Sequence, residues 1–421
     1  MQLYVGAKEL SWSQKAAAEA EAVASISCSG HGRAYLDGLI MDNKPVCECH
    51  ECYGGRDCSV FLNGCAANAG SGDPLFLEPF WIKNAANSAV LISGWHRMSY
   101  YFNDGSYISQ QLENHIVKIH SIAKNAITKG KYIVFGVGST QLLSAAVFAL
   151  STNLSSRANV VAKAPFYSPY KEQTDFFETA RFHFVDNLKN VSDYGPEVIE
   201  FVTSPNNPDG NFRKPVFEGS SVKYIYDYAY YWPHYTAIPA PANEDVMIFA
   251  HSKFSGHAGS RFGWALVKDK QIYDRMLTYI DIAELGTSRD TQLRALQLFK
   301  AMQQGDGKEI FHFAYKTMRD RWEQVSQIIS RSTRFTIQEI PPQFCTFFQK
   351  VRGPSPAFAW VKCERKEDSN CAEVFSRAKI TGRRGSIFGS DERYVRLSLT
   401  KGQDDFDLLI HRLTDLVSEK N

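Results

Sequence analysis

Phe249-Ala250-His251-Ser252-Lys253-Phe254-Ser255-Gly256-His257-Ala258-Gly259-Ser260-Arg261-Phe262-Gly263-Trp264 sets one lysine among small and hydroxyl-bearing residues, with an arginine eight positions after it. The run just before it, Asp245-Val246-Met247-Ile248-Phe249-Ala250, reads as a short buried strand. Lys253 therefore falls where a strand ends and a loop begins, the usual place for a site in an α/β sheet. Burial there disfavours the ammonium form, and a neutral amine condenses with an aldehyde to a Schiff base. Arg261 is a fixed cation whose planar fork matches a phosphate. A Schiff-base lysine with a phosphate-binding arginine is what pyridoxal phosphate needs. For an arbitrary Lys/Arg pair, a solvated surface is the better reading. Here the small residues around both, and further matches along the chain, favour the cofactor.

The 421 residues, 44% of them hydrophobic, suffice for a large core and more than one domain. A net charge of +2 gives no electrostatic basis for binding nucleic acid. No apolar run reaches membrane-spanning length. No signal peptide is visible at Met1, and the start reads as a trimmed or mature form.

Six of the nine cysteines lie between Cys28 and Cys65, in a segment rich in Gly and poor in aliphatics. Such a segment cannot bury enough core and needs staples. Cys49-x-x-Cys52 also has a zinc-ligand spacing, but two matched halves are lacking and six cysteines pair off completely, which favours disulfides. Cys363 and Cys371 form a plausible fourth pair and leave Cys345 over. The sequons Asn153-Leu154-Ser155 and Asn190-Val191-Ser192 point with the cysteines to the secretory route, whether vacuole, endoplasmic reticulum or exterior. The string Cys49 to Cys58 resembles an epidermal-growth-factor-like (EGF-like) module.

Along the chain, Trp12 to Ala24 reads as a helix capped by Ser11 or Ser13. Gly70-Ser71-Gly72-Asp73-Pro74 is a turn, either a plain linker or one that lets backbone approach a ligand. Leu112 to Ala126 is helical by pattern. Strand Tyr132-Ile133-Val134-Phe135, Gly136-Val137-Gly138-Ser139-Thr140-Gln141 and the apolar helix Leu142 to Leu150 make an anion site at a helix start. The third Gly of a dinucleotide fingerprint and the Lys of a Walker loop are both absent.

Strand Asn159 to Ala162 precedes Tyr167, an aromatic placed either to stack on a flat ring or to fill the core. Strand Val198 to Val202 leads to Asn207. Strand Val222 to Tyr226 leads to Asp227 and Tyr230. An acid after five strand residues is costly unless partnered, and a pyridinium nitrogen is such a partner. Alternating strands and helices argue for a mostly parallel sheet with helices on both faces. From Ser288 the pattern changes to two long helices, Asp290 to Gln303 and Phe313 to Arg331. Strands Phe344 to Val351, Ala357 to Cys363 and Tyr394 to Leu399 then complete a smaller α+β domain. Arg396, inside the last strand, is an ion-pair partner or a carboxylate receptor. The expected organisation is a helical arm (1–25), the Cys-rich module (26–68), a large domain (69–287) and a small domain (288–421).

With these residues in view, the chain resembles the plant alliinase and tryptophan-aminotransferase-related group of fold-type-I pyridoxal phosphate enzymes. The resemblance spans nearly the whole length. It is carried by Cys28-Ser29-Gly30-His31-Gly32-Arg33-Ala34, Trp95-His96-Arg97-Met98-Ser99-Tyr100, Ser204-Pro205-Asn206-Asn207-Pro208-Asp209-Gly210, Tyr230-Tyr231-Trp232-Pro233-His234 and Ser252 to Trp264. It implies that Lys253 holds the cofactor and moves the proton. Asp227 would hold the ring nitrogen, Asn207 and Tyr230 the ring oxygen, and Tyr167 the ring face. Gly138, Ser139, Thr140, Ser252 and Arg261 would hold the phosphate. Tyr100 would reach the phosphate of a neighbouring subunit in a homodimer. Arg396, helped by backbone near Gly72, would take the substrate carboxylate. The implied disulfides are Cys28–Cys47, Cys49–Cys58, Cys52–Cys65 and Cys363–Cys371. Ala250 stands where many aminotransferases have Ser or Gly, which moves weight onto Ser252.

The expected activity is an aminotransferase acting on an aromatic, tryptophan-like amino acid. The alternative is an alliinase-type C–S lyase acting on S-alkyl-cysteine sulfoxides. A non-catalytic binding protein built on the Cys-rich module ranks below both, because Lys253, Asp227 and Arg261 are all present.

Overall fold

The computed structural model describes residues 9–186 and 197–418. Helix α1 (Trp12–Ala24) starts with a capping box. The Ser11 hydroxyl accepts from the Gln14 amide, and the Gln14 side chain accepts from the Ser11 amide at 2.9 Å. Of the two serines, Ser11 is the cap.

A seven-stranded sheet forms the centre. In chain order its strands are β1 (Tyr132–Gly136), β2 (Ala158–Ala162), β3 (Phe182–Phe184), β4 (Val198–Thr203), β5 (Val222–Asp227), β6 (Val246–Ala250) and β7 (Gly263–Val267). Their order across the sheet is β3-β2-β4-β5-β6-β7-β1, and β7 runs antiparallel to both of its neighbours. Alternate side chains explain the continuous apolar runs. Met247, Phe249, Trp264 and Leu266 enter one core with α2 (Gln110–Ala123). Val246, Ile248, Ala265 and Val267 enter another with α3 (Gly138–Ser151). A strand buried on both faces has no polar side to show. Each large side chain buried this way contributes about 1.5–3 kcal/mol. His120 is a satisfied member of the first core. Its Nε2 accepts from the Trp264 indole at 2.9 Å, and its Nδ1 meets Asn125 Oδ1 at 2.8 Å. Burial pulls its pKa to about 4, so the ring is neutral.

Several boundaries differ from the expectations. α2 stops at Ala123 because Lys124 takes a left-handed conformation, φ 56°. α3 begins at Gly138, so the Gly-Ser-Thr sequence is the helix's own first turn. α4 (Pro169–Phe176) follows β2, and α5 (Lys270–Glu284) follows β7.

The C-terminal region carries α6 (Arg289–Met302), α7 (Glu309–Ile329) and a four-stranded antiparallel sheet. Its strands are β8 (Phe335–Ile337), β9 (Phe358–Cys363), β10 (Arg383–Arg384) and β11 (Tyr394–Ser398), ordered β8-β9-β11-β10. The single strand expected over Phe344 to Val351 is instead a hairpin, Gln343–Cys345 against Lys350–Arg352. The chain reverses at Gln349, φ 54°, which an apolar run does not reveal.

Disulfides join Cys28–Cys47, Cys49–Cys58, Cys52–Cys65 and Cys363–Cys371, and Cys345 is a buried free thiol. The Cys-rich module has only two-residue strands and docks on α8 (Gln403–Ser418). His31 Nδ1 and His50 Nδ1 meet the same Asp404 oxygen at 2.9 and 2.7 Å, and Arg412 donates to the Cys65 carbonyl at 2.6 Å. Among the described residues, no helix is long and apolar enough to cross a membrane.

Candidate active site

A cavity of about 440 Å³ opens at the ends of β4, β5 and β6, beside the start of α3. Four parallel strands, β1 among them, point their C-terminal ends here, and Arg261 enters just before β7.

Lys253 lies on the single helical turn His251–Phe254 that follows β6. Its Nζ donates to the Gly72 carbonyl at 2.6 Å and sits 5.9 Å from the centre of the Tyr230 ring. Burial pulls its pKa to about 8. Asp73 opposes the shift, and Arg396, Arg261 and Arg383 add to it.

Asp227 ends β5 and is 3% exposed. Burial raises its pKa, while two donors act against that. The Ala229 amide donates to Oδ1 at 3.0 Å and the Tyr170 hydroxyl to Oδ2 at 2.8 Å. The Tyr170 hydroxyl also lies 2.6 Å from Thr203 Oγ1, and its ring stacks on Phe201 with centroids 4.3 Å apart. Neither Tyr170 nor Thr203 is evident from the sequence. The only signal is position, since Tyr170 is the third residue after Tyr167 and Thr203 ends its strand. Tyr167 itself lines the cavity, with its ring edge-on to Tyr170 at 5.5 Å.

Ser139 and Thr140 line another wall from the first turn of α3. Behind them Gly138 takes φ +70°, and a Cβ there would lie 2.6 Å from Arg261 Nη2. A Cβ on Gly263 would lie 2.8 Å from the Gly138 carbonyl carbon. These glycines bring the helix start and Arg261 closer than side chains would allow. Among the described residues no carboxylate lies within ion-pair reach of Arg261, whose Nη1 donates to the Ala258 carbonyl at 3.1 Å. Ser252 lines the same region, and Ala250 brings no hydroxyl to it.

Arg396 projects from β11 and is 2% exposed. It donates to Asn207 Oδ1 at 2.9 Å and to the Gly70 carbonyl at 2.7 Å, with its guanidinium 4.0 Å from the centre of the Phe358 ring. Burial pulls its pKa to about 9, and its Nε has no partner among the described residues. Tyr230 lines the cavity as a neutral phenol, its pKa raised by burial. Arg383 and Asp73 also line it, and neither was singled out from sequence.

Tyr100 does not line this cavity and is 68% exposed. Asn153 is exposed just beyond α3, whereas Asn190 lies outside the described residues. The Cys28, Cys47 and Cys58 sulfurs cluster at metal-binding distances, but each is in a disulfide and none is a thiolate.

Residues 67–417 match the family model described as Allinase, and residues 11–65 match the alliinase EGF-like domain. The chain is 54% identical over 416 residues to tryptophan aminotransferase-related protein 4 of Arabidopsis thaliana, covering 96% of this chain and 90% of that one. It is 47% identical over 427 residues to alliin lyase of Allium cepa, covering 98% and 89%. Among solved structures it resembles a multiple substrate aminotransferase from Thermococcus profundus, with TM-score 0.63 at 15% identity, covering 85% and 92%. It also resembles the aspartate aminotransferase of Rhizobium meliloti, with TM-score 0.60 at 15% identity, covering 84% and 91%. Those two likenesses show the fold. The chain therefore belongs to the alliinase family, with an EGF-like module preceding an enzyme domain of the fold-type-I aminotransferase and lyase superfamily.

Proposed function

We propose that the chain transfers the amino group of an aromatic, tryptophan-like L-amino acid to a 2-oxo acid, with pyridoxal phosphate as cofactor. The observation that carries this reading is the convergence of Lys253, Asp227, Arg261 and Arg396 on one cavity. The donor set fits the cofactor. Arg261, Ser139, Thr140 and Ser252, with the amides that begin α3, suit a phosphate dianion. The close approach at Gly138 and Gly263 leaves that end of the cavity to a ligand rather than to side chains.

When bound, pyridoxal phosphate supplies an aldehyde that condenses with amines and a ring that draws electron density from the substrate α-carbon. Every other task falls to the chain. Asp227, whose carboxylate form Tyr170 and Ala229 favour against burial, would stabilise a proton on the ring nitrogen. Asn207 has its amide nitrogen left to donate, because its oxygen accepts from Arg396. Arg396 gives one hydrogen of each terminal nitrogen to Asn207 and Gly70 and keeps the other for a substrate carboxylate. With a pKa near 8, roughly a tenth of Lys253 is neutral at pH 7. A neutral Lys253 can take the proton from the substrate α-carbon and would return it to the carbon on the far side of the amino nitrogen, the one the cofactor's aldehyde supplies. Tyr230 and Phe358 line the cavity with aromatic surface for an aromatic substrate, leaving Tyr167 to the cofactor ring.

A second reading uses the same residues up to proton removal. If a β-sulfoxide then leaves, the reaction is the C–S cleavage of an alliin lyase, and the 47% identity to that relative favours keeping it. The 54% identity to the aminotransferase-related protein favours the first. Two assays separate them. L-tryptophan with a 2-oxo acid should give indole-3-pyruvate, and an S-alkyl-cysteine sulfoxide should give no pyruvate. Steady pyruvate release from the sulfoxide alone would make the enzyme a lyase.

The working unit under this proposal is a homodimer. Trp95, Met98 and Tyr100 are 74, 85 and 68% exposed, an aromatic surface suited to a second copy, with Tyr100 completing the neighbour's phosphate site. The disulfide-rich module and the exposed Asn153 sequon support maturation in the secretory route.

A further inference from the structure

Arg383 lines the cavity and helps to depress the Lys253 pKa, but no ligand group is matched to it by the function proposed above. It sits on β10 directly opposite Arg396 on β11, with the two Cα atoms paired in antiparallel register. Directly opposed residues point to the same face of a sheet, and like charges so placed are destabilising unless an anion lies between or before them. Among the described residues Arg383 has no carboxylate within ion-pair reach and makes no side-chain hydrogen bond. Its guanidinium is exposed. Its field nevertheless reaches Lys253, Tyr167, Tyr230 and Arg396, so it belongs electrostatically to the site.

The charges lining the cavity are unequal. Lys253, Arg261, Arg383 and Arg396 stand against Asp73 and Asp227. Under the proposed function Arg261 is matched by a phosphate and Arg396 by the substrate α-carboxylate. Arg383 is the cation left without a counter-charge when a monocarboxylic substrate is bound. Arg396 is locked by Asn207, Gly70 and the Phe358 ring, so it is not free to serve two anions. Arg383, unlocked and at the open side, can reach outward.

We propose that Arg383 receives a second carboxylate, and that the amino-group acceptor is accordingly a dicarboxylic 2-oxo acid. This rests on the transamination reading. The exchange balances without a further reactant, since the donor amino acid becomes a 2-oxo acid and the acceptor becomes an amino acid.

The test uses the cofactor-loaded full chain and R383Q. With L-tryptophan fixed, kcat/KM is measured for 2-oxoglutarate and for pyruvate. The expected ratio favours 2-oxoglutarate in the wild type and falls about tenfold in R383Q, the usual scale for one charge-assisted contact. An unaltered ratio, or equal losses with both acceptors, would overturn the proposal, the second because it would put Arg383 on the α-carboxylate. A binding measurement separates this from the reaction itself. Glutarate and butyrate are titrated as competitors of a bound amino acid, by cofactor absorbance. Preference for glutarate in the wild type that is lost in R383Q supports the second-carboxylate site even if no acceptor turns over, in which case transamination fails and the site stands. Turnover with equal binding of the two acids would overturn the site and leave transamination intact.

Discussion

Lys253 and Asp227 are both displaced by the same force in opposite directions. Removing water disfavours each charged form, so the amine's pKa falls to about 8 and the carboxylate's rises. For the cofactor-free protein this has a definite sign. Between pH 8 and the unperturbed value of 10.5, the unfolded chain binds more protons at Lys253 than the folded one. Stability therefore rises with pH across that window, and the cost is fully present below it. Lys253→Met should abolish turnover, yet melt higher than wild type at pH 7 as apo-protein, with the gap closing as pH rises from about 8 to 10.5. A variant that melts lower throughout would show that packing of the stem, not desolvation of the amine, dominates. Tyr170 acts on the other partner. Its hydroxyl at 2.8 Å lowers the Asp227 pKa, so Tyr170→Phe should let that pKa rise further. The acid limb of the kcat profile should then move to higher pH, and an unmoved limb would reduce Tyr170 to packing against Phe201. Lys253, Asp227 and Arg261 are legible in sequence because a charged residue at the end of an apolar run needs a reason. Tyr170 is not, because its partner lies 57 residues away and only the stacking of β2, β4 and β5 joins them.

At the scale of elements, the strands were readable for a physical reason. β4 and β6 are buried on both faces, so their sequences are nearly unbroken apolar runs. Where a segment is only partly buried the signal fades, as in the 343–352 hairpin, whose turn reads as a continuous strand. The start of α3 lies between these cases. The apolar periodicity marks the helix from Leu142, but its first turn is polar and glycine-containing because it faces the cavity. Gly138 tests that turn. Alanine there would take a left-handed φ of +70° and press its Cβ to 2.6 Å from Arg261 Nη2. The guanidinium is the part that can yield, so Gly138→Ala should displace it. Affinity of the apo-protein for pyridoxal phosphate should fall about tenfold, with a stability loss of about 1 kcal/mol from the backbone alone. Absorbance titration measures the first and thermal melting the second. Unaltered affinity with the stability loss present would mean that Arg261 does not take part in holding the phosphate.

Over the whole molecule, a module with almost no core is held together internally by three disulfides and docked on a large enzyme domain by hydrogen bonds. All nine cysteines lie in described segments, and eight are paired. Thiol titration of unfolded, unreduced protein should therefore find one free thiol, from Cys345, and six or more would overturn the pairing. The junction with α8 is polar. Asp404 accepts from both His31 and His50, with Arg412 holding the Cys65 carbonyl nearby. Burial alone would raise the Asp404 pKa, but the two histidine hydrogen bonds outweigh it and hold the carboxyl below its usual range. A depressed folded pKa means that Asp404 contributes stability above the unfolded value of 3.8, and that this is lost as pH falls through the folded one. Asp404→Asn keeps the shape and removes the charge. It should cost about 1.5–3 kcal/mol at pH 7, the scale for hydrogen bonds to a charged group. The difference from wild type should shrink as the pH drops below 3.8. Proteolysis near residue 66 should quicken in the variant while the enzyme domain stays intact. If the variant matches wild type at pH 7 in both stability and cleavage, the parallel pairing of Ala67–Asn68 with Ile380–Thr381 and the Arg412 bond to Cys65 hold the module without Asp404.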